Sequence, residues 1–320
     1  GTTALMLAAI NGHVDCVNAL RQHDTAVLLH ARDSNGGIAL MYAAAKGHVR
    51  CVAALLQHDV SVQLNARNSA GCTALMHAAH HGRVACVHAL LQHDVAFQLN
   101  ARDNDGGTAL MHAARKDHVD CVNALLRHDA SAQLNARDSA GGTALMLAAA
   151  GGHADCINTL LQQDASAQLN ARDSAGVTAL MVAALYGIAD CIEGLLQRDA
   201  SIQLAAVPSH GFTALMVATI NSHVDCIRAL LRRDVPVQLK AHDGTGCTPL
   251  MFAALYGKVD CIRALLRRDA SDQLNARDGK GCTAMMYAAI GGDAGSIEAL
   301  LQQDASIQLA ASSQNGLTPL

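Results

Sequence analysis

The sequence predicts an all-α solenoid, a stack of short helical repeats, from three observations. The tetrapeptide Thr-Ala-Leu-Met returns at a fixed period of 35 residues, as from Thr73 to Thr108. Within each copy, apolar residues recur at helical spacing. Of the 320 residues, 51 % are hydrophobic but only 2 % are aromatic, and there is no Trp. The core must therefore consist of Ala, Leu, Val and Met, which suits closely packed helices better than a sheet sandwich.

The copies follow one another without insertion or deletion, which predicts a single array over residues 1–320 rather than two globular domains. Nine repeats start near residues 3, 38, 73, 108, 143, 178, 213, 248 and 283, and a truncated tenth occupies residues 318–320. Neither end has the polar terminal repeat that solenoids need. We therefore expect the sequence to be a portion of a longer protein.

The copy that starts at Thr73 shows the predicted elements of one repeat in order. Thr73 is placed to cap a first helix whose small and apolar residues end before the break at Gly82. A second helix is predicted over residues 84–91, with Val, Cys and Leu on its apolar stripe. After Asp94 the helical periodicity is lost, and residues 99–106 are rich in turn formers. This part predicts an extended, hairpin-like loop that leads to the next Thr.

The repeat resembles that of ankyrin-repeat proteins. The pattern T-x-L-x-x-A-A-x-x-G-H-x-x-x-V-x-x-L-L fits residues 143–161 with Ile157 at the place of the Val, and N-A-R-D-x-x-G follows at residues 170–176. The resemblance covers the whole chain and implies an ankyrin-type helical solenoid with hairpin-like loops between repeats. Three departures stand out: Met replaces the family's His in the T-P-L-H motif, Asp94 and its equivalents replace the Gly after the second helix, and each repeat has two extra residues.

The eleven cysteines are predicted to be reduced. Eight lie at one position on the apolar stripe of the second helix, from Cys16 to Cys261. Stacked helices lie about 8–10 Å apart, whereas a disulfide needs Cα atoms within roughly 4.4–6.8 Å. Equivalent cysteines should therefore not pair, and we expect small buried side chains in a reducing compartment.

No metal, cofactor or catalytic site is predicted. The histidines recur in columns one repeat apart, which cannot converge on one ion. Only His77, His80 and His81, with His112 in the next repeat, are close enough to consider, and a polar surface patch is favoured there. Ser and Asp recur only because the repeat does, and no phosphate-binding loop or hydrolase motif is present. No kinase motif is present either.

The charge pattern argues against a nucleic-acid partner, because the net charge is −4 and charged residues make up 16 %. The sequence contains no uncharged apolar run of 18 residues, which is the feature that would predict a membrane span. One arginine recurs beside an acidic or amide residue in the hairpins, from Arg32 to Arg277, and is interpreted as structural. A second cluster on two adjacent second helices is a candidate site for an acidic partner, although a solvated face is favoured: Arg228, Arg232, Arg233, Arg263, Arg267 and Arg268.

The informative variation lies in the two residues after Ala-Ala, which the resemblance places in the concave groove of the stack. In the first half they are mostly polar or small, as at Lys46 and Arg115. From the sixth copy they turn apolar, which is typical of an interface, although shielding of neighbouring helices is the alternative. The candidate partner-binding residues are Leu185, Tyr186, Phe212, Ile220, Leu255, Tyr256 and Ile290.

The sequence thus predicts a cytoplasmic, non-catalytic protein-protein interaction scaffold that binds a protein partner in this groove. Two alternatives stay open. The chain could be the regulatory or targeting arm of a larger enzyme such as a protein kinase, since T-A-L-M repeats are similar to long ankyrin arrays of unicellular eukaryotes that in part carry one. It could also be a cytoskeleton-linked structural array, with binding repeated along its length.

Overall fold

The computed structural model describes residues 1–22, 25–163, 165–197, 211–232, 236–268 and 270–302. All regular elements in these ranges are α-helices, 24 in number, and none of the described residues is in a strand. The helices form two compact units, unit 1 (Gly1–Gln168) and unit 2 (Leu169–Leu320). The predicted all-α fold is therefore confirmed. The truncated tenth repeat at residues 318–320 lies outside the described residues.

The first helix of each repeat begins directly after the repeat Thr. These helices are α1 (Ala4–Asn11), α4 (Ala39–Lys46), α7 (Ala74–His80), α10 (Ala109–Arg115), α12 (Ala144–Gly151), α15 (Ala179–Tyr186), α17 (Ala214–Ile220), α20 (Pro249–Leu255) and α23 (Ala284–Gly291). In seven repeats the Thr hydroxyl accepts the N–H of the Met three residues later, at 3.2–3.4 Å. Thr73 is thus the predicted N-cap, whereas Ile38 has no hydroxyl to cap with and Thr283 makes no side-chain cap bond.

The Met of the Thr-Ala-Leu-Met motif helps to cap the first helix and also packs in the core. Met76 is buried, and its sulfur accepts the backbone N–H of Thr73 at 3.5 Å. The same contact joins Met6 to Thr3. The two residues therefore satisfy each other's free groups at the start of the helix, which is the arrangement of a capping box with a thioether in place of a carboxylate.

The second helix of each repeat follows a sharp turn. These helices are α2 (Val14–Arg21), α5 (Val49–Leu55), α8 (Val84–Leu90), the first part of α11 (Val119–Asn135), α13 (Ala154–Leu161), α16 (Ala189–Leu196), α18 (Val224–Leu231), α21 (Val259–Leu265) and α24 (Ala294–Leu301). Gly82, predicted as a break, has φ +68°, in the left-handed region that favours glycine. Within each unit, the first and second helices bury their apolar stripes against neighbouring repeats, which forms the core of that unit.

The segment after the second helix is also helical, which corrects the prediction of a loop that begins after Asp94. These third helices are α3 (Thr25–His30), α6 (Val60–Asn65), α9 (Val95–Asn100), the last part of α11, α14 (Ala165–Asn170), α19 (Pro236–Lys240) and α22 (Ala270–Asn275). Asp94 precedes α9 with φ +35° and so adopts the left-handed turn that the family's Gly would make.

Six of the seven third helices are anchored by a buried Gln-Leu pair, and α3 has Leu28 and Leu29 at these positions. Gln98 is 1 % and Leu99 is 2 % exposed, and the Gln98 amide donates to the carbonyl of Leu90 at 3.3 Å. This bond satisfies a free carbonyl at the end of the second helix. The helical periodicity is invisible in the sequence because only two of its six side chains face the core. The hairpin-like loop is accordingly confined to the residues between Asn100 and Thr108.

Candidate functional site

The two residues after Ala-Ala close the first helix, and in unit 2 they form a row of apolar side chains. We call this row the apolar column: Leu185, Tyr186, Ile220, Leu255, Tyr256 and Ile290. Six large hydrophobic side chains are exposed among the described residues, and four belong to it: Leu185 (45 %), Tyr186 (59 %), Tyr256 (52 %) and Ile290 (65 %). Ile220 and Leu255 are half-buried. Consecutive first helices pack side by side, so the column joins neighbouring repeats.

The structure separates the seventh candidate, Phe212, from this column. Phe212 precedes Thr213, the N-cap of α17, whereas Ile220 ends the same helix. A helix of this length spans about 10 Å. Phe212 is half-buried, and its ring lies 5.6 Å from that of Phe252 between centroids. Its aromatic surface is thus largely used between two repeats at the hairpin side.

Three of the five repeats of unit 1 carry basic residues at the same positions, and the other two have Ile10 with Asn11 and Ala150 with Gly151. We call these basic residues the basic column: Lys46, His80, His81, Arg115 and Lys116. Burial lowers the pKa of His80 to about 4, helped by nearby positive groups, so this ring is neutral at pH 7. The positive charge of the column therefore comes from Lys46, Arg115 and Lys116, which are all exposed.

Histidines that precede a second helix bond to the end of the first helix in the preceding repeat. The Nε2 atom of His118 lies 3.0 Å from the carbonyl oxygen of His80, and that of His223 lies 3.1 Å from the carbonyl of Leu185. The sequence showed these residues only as members of a column of histidines one repeat apart. The link between repeats could not be inferred from it, because the acceptor lies 38 residues earlier in the chain.

The hairpin arginines are structural, in agreement with the interpretation from sequence. Arg32 donates to the carbonyl of Gly36 in its own hairpin at 2.9 Å and to that of Arg67 in the next at 2.6 Å. Arg102 makes the same pair of bonds to Gly106 and Arg137. Each guanidinium thus bridges two hairpins instead of standing ready for an acidic ligand.

We call the arginine cluster on two adjacent second helices of unit 2 the arginine face. Acidic side chains nearby neutralise part of its positive charge. Arg228 pairs with Asp225 at 3.1 Å, Arg263 with Asp260 at 3.6 Å, and Arg232 with Glu193. A shallow depression of about 310 Å³ lies between the two helices, lined by Arg228, Leu231, Arg232, Ala264, Arg267 and Arg268. Arg233 lies outside the described residues. Exposed pairs of this kind contribute little to stability.

All eleven cysteines are free thiols, as predicted. Burial raises the pKa of Cys86 and Cys121 to about 11, so these thiols are unreactive. Cys16 is the exception to the predicted protection, because it is exposed. It lies in the first repeat of unit 1, where the described chain has no preceding repeat to cover the stripe.

The histidine cluster around α7 is arranged differently from the prediction. His112 does approach His80, with ring centroids 5.7 Å apart, and His80 lies 4.9 Å from His81. The Nε2 atom of His112, however, faces the carboxylate of Asp103 at 2.8 Å, and Cys72 adjoins both. The sequence did not reveal this group, although two rare ligand types, Cys72 and His112, occur in consecutive repeats.

The structure thus defines a class, a helical-repeat solenoid with an exposed row of variable side chains. The family profile described as "Ankyrin repeats (3 copies)" matches residues 1–68, 57–138, 130–206 and 199–278. The crystal structure of the human ASB11 ankyrin repeat domain is similar, with 27 % sequence identity, a TM-score of 0.60, and coverage of 73 % of this chain and 99 % of that one. No curated protein sequence matches significantly.

The chain belongs to the ankyrin-repeat family. Ankyrin repeats are in general protein-protein interaction modules, and their fold is typically non-catalytic. Neither comparison supports the alternatives of an enzyme's regulatory arm or a cytoskeletal array. Among the described helices, none combines the length and the apolarity that a membrane span needs.

Proposed function

We propose that this chain is a non-catalytic scaffold that binds a protein partner along the apolar column of unit 2. One observation carries the proposal: four of the six exposed large hydrophobic side chains in the described residues lie in this column. Apolar side chains that recur at exposed positions are stabilised when another protein covers them. The partner should therefore present apolar side chains, as an amphipathic helix or an extended segment does.

Tyr186 and Tyr256 are the expected anchors of the partner. Both are more than half exposed and sit one position after a Leu at the end of their helices. A tyrosine covers a large area, loses few rotamers on binding and keeps its hydroxyl at the wet rim of an interface. Leu185, Ile220, Leu255 and Ile290 would form the apolar floor between them. Phe212 would extend this surface toward the hairpins only if its contact with Phe252 opened.

We further propose that the protein works in the cytoplasm without nucleic acid, cofactor or membrane insertion. Support comes from its eleven free thiols, which persist in a reducing compartment. The net charge of −4 is opposite to that of most nucleic-acid-binding proteins. Fractionation of cells that express the tagged chain would test the location.

Binding is tested by affinity purification with the full chain as bait, followed by calorimetry with each purified partner. The test variant is Tyr186→Ala with Tyr256→Ala. The matched control is Leu7→Ala with Val62→Ala, which removes two equally exposed hydrophobic side chains outside the apolar column. We expect the test variant alone to lose its partner. Retention of all partners by this variant would contradict the proposal and direct attention to the arginine face.

A further inference from the structure

Three side chains of metal-ligating type converge in unit 1, outside the apolar column. Cys72 precedes the N-cap of α7, Asp103 lies in the following hairpin, and His112 lies on α10. Their ligand atoms all lie within 4.8 Å of one another. In the ranges covered by the structure, no other group of three His, Cys, Asp or Glu side chains meets this criterion. The group joins two consecutive repeats.

The donor atoms suit zinc. A thiolate sulfur, an imidazole nitrogen and a carboxylate oxygen are the three ligand types that Zn²⁺ takes, at about 2.3, 2.0–2.1 and 2.0–2.2 Å. In a tetrahedral site these bond lengths separate the ligand atoms by roughly 3.3–3.6 Å. The Nε2 atom of His112 and the Oδ2 atom of Asp103, now 2.8 Å apart, would have to separate by about 0.5 Å, and the sulfur of Cys72 lies within 4.8 Å of both. Small side-chain movements would therefore place the three atoms around an ion. Harder cations such as Mg²⁺ are disfavoured by the sulfur.

The carboxylate is already held in the orientation that a ligand needs. The Oδ1 atom of Asp103 accepts the backbone N–H of Asp105 at 3.0 Å and that of Gly107 at 2.7 Å. The Oδ2 atom is thereby aimed at His112. In metal sites, supporting hydrogen bonds of this kind hold the coordinating side chains in the right orientation. The side chains of Asp103 and His112 are 10 % and 17 % exposed, so a water molecule can reach the fourth position.

Without a cation, the surroundings of Cys72 keep its thiol neutral and protonated. Burial raises the pKa of the Cys72 thiol, the carboxylates of Asp103 and Asp105 raise it further, and Arg67 only partly opposes them. A divalent ion would offset both the thiolate and the carboxylate, because its own charge dominates the local field.

The equivalent positions elsewhere show that the hairpin does not require this combination. In unit 2 they are Cys247, Asp278 and Tyr287, where the Tyr287 hydroxyl donates to Asp278 at 2.8 Å and lies 3.2 Å from the Cys247 sulfur. Two repeats before the group, Tyr42 contacts Asp33 in the same way, with Thr2 in place of the cysteine. A tyrosine at this position of the repeat thus supplies a hydrogen bond to the carboxylate of the hairpin aspartate. The imidazole at His112 adds a metal ligand.

We propose that Cys72, Asp103 and His112 bind a zinc ion, with water as the fourth ligand, and that the ion links the third and fourth repeats. This site goes beyond the proposed partner binding and does not depend on it. Binding would release protons, because the thiol and imidazole must be deprotonated to bind the metal.

The test is a Zn²⁺ titration of the full chain against a chromophoric chelator, with Co²⁺ as a spectroscopic probe. The variants are His112→Tyr, which copies the Tyr-Asp contact of two other repeats, and Cys72→Gly, which copies Gly37, Gly107 and Gly142. The control is Cys247→Gly, which removes the equivalent thiol of unit 2. Circular dichroism checks that each variant remains folded.

We expect the wild-type chain and the control to bind one Zn²⁺ and to give a thiolate-to-cobalt charge-transfer band. Both test variants should bind at least ~10-fold more weakly, since the loss of supporting groups alone costs roughly 10–100-fold. If the wild-type chain gives no such band, or if the band and the affinity persist in folded His112→Tyr, the proposal is overturned. Should Cys72→Gly fail to fold, His112→Tyr decides alone.

Discussion

The two units of this chain share one repeat, yet they present opposite chemistry at the end of the first helix. Unit 1 has the basic column, whose charge comes from Lys46, Arg115 and Lys116, while unit 2 has the apolar column with its two exposed tyrosines. The residues below these columns are nearly identical, since Ala-Ala is buried in almost every repeat. The fold therefore fixes the interior of each repeat and leaves the helix ends free to differ, which is where a binding preference can be encoded.

A second difference between the units lies one helical turn earlier. Two repeats of unit 1 have a histidine as the fifth residue of the first-helix motif, His77 and His112, whereas three of the four in unit 2 have an apolar residue: Val182, Val217 and Phe252. At this position imidazoles occur in unit 1 alone, while unit 2 has apolar residues and Tyr287. The comparison teaches that unit 1 should respond to pH and metal, and unit 2 to an apolar partner.

The largest expected effect concerns the apolar column. Tyr186→Ala with Tyr256→Ala should weaken partner binding by roughly 2 kcal/mol or more, because exposed aromatic anchors dominate interface energies. Calorimetry with the purified partner measures this change. The equivalent pair in the basic column, Lys46→Ala with Lys116→Ala, should leave the same affinity unchanged. If the tyrosine variant keeps its affinity while its thermal midpoint falls by many degrees, these residues are stacking contacts instead.

The second effect is a loss of stability in unit 1 on acidification. Burial lowers the pKa of His77 to about 4, with smaller contributions from the charges of His81 and His112. The unfolded chain therefore takes up the proton first as the pH falls below about 6.5, and stability is lost from there toward pH 4. At about pH 5 the loss should be roughly 1–2 kcal/mol.

Hydrogen exchange at neutral and mildly acidic pH measures this loss unit by unit. His77→Leu supplies the control, since Leu147 occupies the same position two repeats later. This variant should flatten the pH dependence around α7. An equal acid-induced loss in the variant and the wild-type chain would show that His77 does not cause it.

The third effect concerns the histidine link between repeats. His118→Ala removes the bond to the carbonyl of His80 and should reduce the stability of unit 1 by about 1 kcal/mol. In unit 2 the eighth repeat has Lys258 at this position, so Lys258→His should add a bond to the carbonyl of Ile220 and protect α17 by a similar amount. Amide exchange at the ends of the first helices measures both, and unchanged rates would refute the link.

The smallest effect is expected when the residue that directly follows Ala-Ala is exchanged between the two units. Leu185→Ala and Ala45→Leu should each change the stability by less than about 0.5 kcal/mol, because partly exposed side chains contribute little to the stacked core. Denaturant unfolding of each variant tests this expectation. A loss of 2 kcal/mol for Leu185→Ala would mean that the apolar column belongs to the core, which removes the argument for a binding surface.

Much of the repeat could be predicted from the sequence because its signals are local. The N-cap Thr73, the break at Gly82 and a second helix over residues 84–91 each depend on neighbours within a few residues, and α8 is observed over Val84–Leu90. The exposed tyrosines were also foreseen, because a variable position in an otherwise constant repeat stands out. The period of 35 residues repeats the cap and break signals in most copies, which strengthens both predictions.

The sequence by itself thus determined the helical array, its caps and which helix ends vary, since these depend on periodicity and short-range hydrogen bonds. The tertiary structure alone decided the third helix, which is held by one buried glutamine and one leucine, and the placement of Phe212 against Phe252. It also decided that Cys72, Asp103 and His112 meet. These features depend on atoms brought together from separate elements and from neighbouring repeats, and the distance between such atoms is set by how the helices pack.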